Sequence, residues 1–170
     1  MVQEKVAKLL NDQVTKEFYS AYLYLHFANY YVEQGLNGFA NWYQVQAQEE
    51  RDHAMLFVQY MQNNDIKVTF ETIEKPNVEL CAHMDALKAA LAHEKFVTSS
   101  IHTIYEAAYE ARDFRTMQFL DWFVKEQGEE ETNANDLIKK MELFGSDAKG
   151  LYLLDQELAA RTYAAPSLVL

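Results

Sequence analysis

Five side chains in this sequence could do chemistry together: Glu17, Glu50, His53, Glu94 and Glu130 each interrupt a stripe that is otherwise largely apolar. The first stripe reads Leu10, Gln13, Glu17, Ala21, Tyr24, Ala28, Tyr31, and the second Phe39, Trp42, Gln46, Glu50, His53, Phe57, Tyr60. The third reads Leu87, Ala90, Glu94, Val97, Ile101, and the fourth Leu120, Phe123, Gln127, Glu130, Ala134, Leu137. Spacings of three and four residues are those of a helix-bundle seam. One glutamate on a helix is ordinarily part of a solvated face, but an acid near the middle of every stripe is a different matter. At 1.5 Å per residue the four acids fall within about 10 Å of one level.

Ionised carboxylates gathered in an apolar interior cost many kcal/mol and repel one another. No lysine or arginine lies on the four stripes to neutralise them. Two divalent metal ions would, since four carboxylates balance their charge. Glu50 and His53 form Glu-x-x-His, an i, i+3 pair that aims an oxygen and an imidazole nitrogen at one ion. Mixed carboxylate and imidazole ligation suits iron or manganese. His26, His83, His93 and His102 have no such partners in the pattern and read as surface or boundary residues.

Long helices must position these groups. The period predicts helices over about 4–33, 38–63, 85–111 and 114–144, with a short fifth over about 149–161 and a connecting loop over 64–84. Asn37 and Asp113 are the expected N-caps of the second and fourth. The joins at 34–37 and 112–113 are short, which makes the first and second helices antiparallel, and likewise the third and fourth. The 21-residue stretch from Asn64 to Met84 can reach about 70 Å when extended, enough to return along the bundle, so the second and third helices are expected to be parallel. The fold class is therefore all-α: a single domain over 1–170, a four-helix bundle with one long crossover and a short C-terminal helix. Leu151, Leu154 and Leu158 give that last helix an apolar face that needs a partner.

Composition narrows the function. The chain has 170 residues with only 5 glycines and 2 prolines, too few for a turn-rich β fold. The net charge of −11 and the lack of a basic run argue against nucleic acid as a partner. Cys81 is the one cysteine, so neither an intrachain disulfide nor a Cys-x-x-Cys metal knuckle is available. No apolar run approaches the ~20 residues of a membrane span, and the expectation is a cytoplasmic protein with no membrane partner.

At this point the sequence resembles the ferritin family, specifically the non-haem bacterial ferritins, over nearly its whole length. The matching motifs are Glu17 with Tyr24, Gln48-Glu49-Glu50-Arg51-Asp52-His53, His93-Glu94 and Glu126-Gln127-Gly128-Glu129-Glu130. Gln127 and Glu130 stand where related di-iron bundles carry a second Glu-x-x-His. Arg51 stands where haem-binding relatives have their haem-ligating methionine, so no haem is expected.

The resemblance implies a ferroxidase that oxidises Fe(II) with oxygen or hydrogen peroxide and stores it as ferric oxo-hydroxide. It implies a first iron held by Glu17, Glu50 and His53, with Glu50 bridging. Glu50, Glu94, Gln127 and also Glu130 would hold the second. It further implies a third iron site at Glu49, Glu126 and Glu129, sharing Glu130. Tyr24 matches the family's tyrosine at the centre, though a packed core tyrosine would look the same. The implied assembly is a homo-oligomeric shell of 24 subunits, with Leu151, Leu154 and Leu158 packing around four-fold axes. Animal ferritins line a channel with carboxylates where this chain has Met117 and Leu120. The alternative on the same bundle is a rubrerythrin-like di-iron peroxidase without a mineral store, which ordinarily has a cysteine-rich electron-transfer module. Gly128 either permits a local bend beside the ligands or has no role.

Overall fold

A computed structural model of the chain describes residues 2–170. It has five helices: α1 (Glu4–Glu33), α2 (Asn37–Asn63), α3 (His83–Glu110), α4 (Phe114–Phe144) and α5 (Ala148–Leu158). At 1.5 Å per residue the four long helices are about 40–46 Å long. Their amphipathic sequences bury one stripe each, as the spacing of apolar residues requires.

Contacts along the helices define the topology. Tyr31 and Tyr24 of α1 stack on Phe39 and Tyr43 of α2 beside the short turn that joins them. The hydroxyl of Tyr31, near the end of α1, donates to the carbonyl of His83 at the start of α3, while Lys5 pairs with Glu110 at the other end. So α1 runs antiparallel to both α2 and α3, which makes α2 and α3 parallel. Gln46 and Tyr60 of α2 meet Glu130 and Thr116 of α4 in reverse order, so these two are antiparallel as well. Between Asn64 and Ala82 the crossover runs up the outside of α1. The Asn11 side chain holds both backbone groups of Thr69, at 3.0 and 2.7 Å, and a ring nitrogen of His26 lies 3.2 Å from the Val78 carbonyl.

Helix ends depart from expectation at three places. Asn37 is the first residue of α2 rather than its cap. The buried amides of Gly38 and Phe39 instead donate to Asp155 of α5, at 2.8 and 3.0 Å. α3 starts two residues early because the Asp85 carboxylate accepts the amides of Cys81 and Ala82. α5 ends at Leu158 rather than near Arg161, because the Asn41 side chain captures the carbonyls of Leu158, Ala159 and Arg161. Asp113 does cap α4, accepting from the amide of Thr116 at 3.1 Å.

The core consists of two apolar clusters stacked along the bundle. One centres on Phe27, Tyr31, Phe39 and Leu87 and reaches Leu154 and Leu158 of α5. The other centres on Leu10, Phe57, Ile101 and Phe123. Leu154 and Leu158 are 3% and 2% exposed and Leu151 packs on the same cluster, whereas Leu153 is 57% and Tyr152 62% exposed. The leucine stripe expected to pack between subunits is therefore spent on the chain's own bundle, and any outward apolar contact of α5 falls to Tyr152 and Leu153. Leu120 is fully buried in the second cluster and cannot line a channel.

Candidate metal centre

Between the two apolar clusters lies a polar layer. Glu17, Glu50, His53, Glu94, Gln127 and Glu130 are all buried there, none more than 7% exposed. The stripes compel this: a residue three or four positions from two buried neighbours on a straight helix faces the same way they do.

Glu17, Glu50 and His53 each place a ligand atom within 4.8 Å of the other two. Nδ1 of His53 is 3.3 Å from Oε2 of Glu50, and the ring is fixed edge-on against Trp122 and Phe123, at 5.5 and 5.9 Å. Glu94 accepts from Tyr24 Oη and, at 3.0 Å, from Gln127 Nε2. Glu130 is held at 2.9 Å by Gln46, whose amide also donates to Glu50 at 3.0 Å. Tyr24 is thus tied to the acids as well as packed in the core, stacked on Tyr43 at 5.6 Å. A cavity of about 20 Å³ opens beside Glu94 and Glu130; a single water needs about 10–15 Å³.

The electrostatics show what these acids lack. Burial, and then the Glu50 carboxylate, push Glu17 up to about 8 and Glu130 up to about 7. Burial and the neighbouring Glu50 and Glu130 charges hold Glu94 well above the usual carboxylate range. Burial alone would depress the His53 imidazole, but the Glu50 charge and hydrogen bond outweigh it and carry it up to about 10. Burial would likewise raise Glu50, yet His53 and the hydrogen bonds from His53 and Gln46 keep it below its ordinary value. Among the described residues one buried side-chain oxygen has no hydrogen-bond partner, Glu17 Oε2. Leaving such an acceptor bare costs about 1–3 kcal/mol. A cation among Glu17, Glu50 and His53 would satisfy it and displace the protons, and hard oxygen ligands with one imidazole fit iron or manganese.

The third group is not gathered. Glu126 is half-buried, with Oε1 4.0 Å from His53 Nε2. Glu49 is half-buried and pairs with Arg161 at 2.5 Å. Glu129 points to solvent and pairs with Lys125 at 3.6 Å. These three therefore do not converge as the inner residues do.

Several supporting groups were not anticipated. Gln13 donates to Glu17 at 2.8 Å and accepts from Ser100 at 2.7 Å, and Ser100 in turn accepts from Lys16 at 2.5 Å. A relay of donors thus leads from a lysine at the surface to a buried carboxylate. The signal was present in the stripes: Gln13 and Gln46 each precede a site glutamate by four residues, so each can hydrogen-bond to it one turn on. His93, read as lacking partners, sits 2.7 Å from Ser20 Oγ with its ring edge-on to Tyr24.

Comparison with known proteins agrees with this architecture. The sequence pattern of the Ferritin-like domain matches residues 7–144. A bacterial non-heme ferritin of Campylobacter jejuni is 36% identical over 156 residues, covering 92% of this chain and 93% of that protein. One from Staphylococcus epidermidis is 35% identical over 163 residues, covering 96% and 98%. Among solved structures, an engineered closed form of the Archaeoglobus fulgidus ferritin is similar with a TM-score of 0.94 at 41% identity, covering 96% of this chain and all of that one. The open pore ferritin of the same archaeon gives 0.92 at 41% identity, covering 95% and 98%. With a four-helix bundle, a buried layer of acids and relatives matched over nearly their full length, the chain belongs to the ferritin family.

Proposed function

We propose that the protein is an iron-storage ferritin that oxidises Fe(II) inside its own helical bundle. The observation that carries this reading is the buried Glu17, Glu50, His53 group with its orphaned Glu17 oxygen. Iron is substrate and cargo here. Glu17, Glu50 and His53 hold one ferrous ion, and Glu50, Glu94, Gln127 and Glu130 the second. Each iron loses one electron; dioxygen takes the pair with two protons to give hydrogen peroxide, or peroxide takes it with two protons to give water. The carboxylates favour the more highly charged ferric product electrostatically. Tyr24 holds Glu94 in place. Glu49, Glu126 and Glu129 lie outside this inner layer without converging, and no third ion is assigned to them.

The proposed assembly is a cytoplasmic homo-oligomeric shell of 24 subunits around a ferric oxo-hydroxide store. Its support is the family membership together with the exposed apolar residues on α1, the crossover and α5. No helix among the described residues is long and apolar enough to cross a membrane. Cys81, the single cysteine, is exposed, and no observation favours the peroxidase alternative.

Stopped-flow absorbance after mixing apoprotein with Fe(II) in air tests the reading. The double variant Glu50→Ala, His53→Ala is expected to oxidise iron at least tenfold more slowly. Oxidation at the wild-type rate in a folded variant would remove the centre from this position.

A further inference from the structure

Glu17 is held from one side by a chain of hydrogen bonds that all run the same way. Lys16 and Gln13 of α1 and Ser100 of α3 form it. Lys16 Nζ donates to Ser100 Oγ at 2.5 Å, Ser100 Oγ to Gln13 Oε1 at 2.7 Å, and Gln13 Nε2 to Glu17 Oε1 at 2.8 Å. An ammonium group has only donors, and the ionised carboxylate that binds a metal has only acceptors. The two ends therefore set the direction of everything between them. The lysine takes an acceptor position on the serine oxygen and leaves the hydroxyl proton for Gln13. Gln13 accepts it on oxygen and so turns its NH2 toward Glu17. A glutamine side chain reversed end for end has nearly the same shape, and packing alone does not choose between the two orientations. Reversed, the amide would set its oxygen against the ionised carboxylate, and two acceptors facing each other push apart. Lys16 is itself steadied by the face of Phe96, 5.6 Å from the ring centroid.

We propose that Lys16, Ser100 and Gln13 are positioning residues for the inner metal centre: they hold the Gln13 amide in the orientation that engages one Glu17 oxygen and leaves the other bare for a cation. The inference rests on the reading of Glu17 as a metal ligand. Gln13 is fully buried and Ser100 is 8% exposed, so water does not readily replace either partner. Glu17 Oε2, the one unpartnered buried side-chain oxygen among the described residues, is the atom this arrangement leaves over. The relay serves one side of the centre. Glu94 and Glu130 have donors of their own in Tyr24, Gln127 and Gln46. The ion at Glu17, Glu50 and His53 therefore depends on Ser100, and the second ion does not.

The test uses the assembled protein and Co²⁺ alone, at up to two equivalents per subunit, so that iron oxidation plays no part. Calorimetry reads affinity, and the visible d–d absorption of the ion reads ligand geometry. Glu17→Gln identifies the equivalent bound at Glu17 as the one it weakens. Ser100→Ala is expected to weaken that same equivalent about fivefold, the factor for one net hydrogen bond, and to shift its absorption, with the other equivalent unchanged. Ser100→Thr restores the hydroxyl and should return both affinity and spectrum to those of the wild type. Lys16→Met keeps an apolar stem beside Phe96 but no longer sets the direction of the hydroxyl, and should give a smaller loss in the same equivalent. Wild-type affinity and spectrum in both Ser100→Ala and Lys16→Met, whatever their melting temperatures, would reduce the relay to packing and overturn the proposal. So would a Ser100→Thr protein that behaves like Ser100→Ala, because the hydroxyl would then not be the active group. If Glu17→Gln binds both equivalents as the wild type does, Glu17 is not a ligand; the reading of the centre fails first, and the positioning with it.

Discussion

At the scale of single residues, the layer is a set of acids that keep protons they would ordinarily lose. Glu17, raised to about 8, holds a proton in the folded chain over the range between its ordinary 4.5 and that value, and the unfolded chain does not. Glu130, raised to about 7, behaves the same way over a narrower range. His53, raised to about 10, keeps its proton from its ordinary 6.5 up to that value. In each window the native state binds more protons than the unfolded chain, so stability falls as pH rises. Glu50 opposes this only below its ordinary 4.5. The metal-free protein should therefore melt at progressively lower temperature from pH 5 to pH 9, as read by circular dichroism. Saturating Zn²⁺ should flatten or reverse the slope, because the metal takes the place of the protons. Glu17→Gln keeps an acceptor for Gln13 and removes the charge. It should raise the melting temperature of the metal-free protein at pH 9, and at the same time weaken binding of the first metal equivalent. A variant that melts lower at pH 9 would show that Glu17 is not carrying a desolvated charge there.

At the scale of elements, the ends of helices decide how the bundle closes. Asp155 reaches from α5 to accept two amides at the start of α2 while itself largely buried. Replacing a capping aspartate usually costs about 0.5–2 kcal/mol, and leaving two buried amides unsatisfied raises this, so Asp155→Ala should destabilise the fold by about 1–3 kcal/mol in chemical denaturation. Gly38 belongs to the same joint, since a Cβ there would run into the Asp155 backbone carbonyl. Gly128 is the opposite case: a Cβ at that position meets nothing within 4 Å and α4 runs through it unbroken. Gly128→Ala should then be stabilising by about 0.5–1 kcal/mol, with iron oxidation unchanged. These joints also mark what the chain reveals before it is folded. Helix period exposed α1 and α4 to the residue and placed Glu17, Glu50, His53, Glu94, Gln127 and Glu130 in one layer, because a seam repeats locally. Asp155 and Arg161 act on residues more than a hundred positions away, at Gly38 and Glu49, and no local pattern records such a pairing. Arg112 closes α3 at a φ of 54° without a glycine to announce the turn. Glu49, Glu126 and Glu129 matched a family motif, yet their side chains are respectively latched, half-buried and solvated.

At the scale of the whole molecule, a subunit cut in two by a polar layer still leaves apolar surface outside. Tyr22, Leu25 and Ile73 are 48%, 50% and 42% exposed and line, with Phe18 and Ala47, a groove of about 730 Å³ along α1, α2 and the crossover. Scattered exposed apolar residues are ordinary, but a contiguous set of this kind in a chain of charge −11 is a surface for association. Because the groove and the side chains that would fill it lie on the same face, a second copy related by a two-fold axis satisfies both at once. Tyr152 and Leu153 of α5 form a separate and smaller apolar spot at the far end of the bundle. A closed shell needs more than one kind of contact, and these two faces are independent. Leu25→Glu together with Ile73→Glu places four charges in a paired groove and should reduce the particle to species no larger than a few subunits in light scattering. The helical content of each subunit should stay intact, because neither side chain belongs to the buried core. Leu153→Lys should leave the two-fold pair standing and block only growth beyond it. If both variants still give a particle of several hundred kilodaltons, association runs through other surfaces, and the apolar groove along α1 is not what joins the subunits.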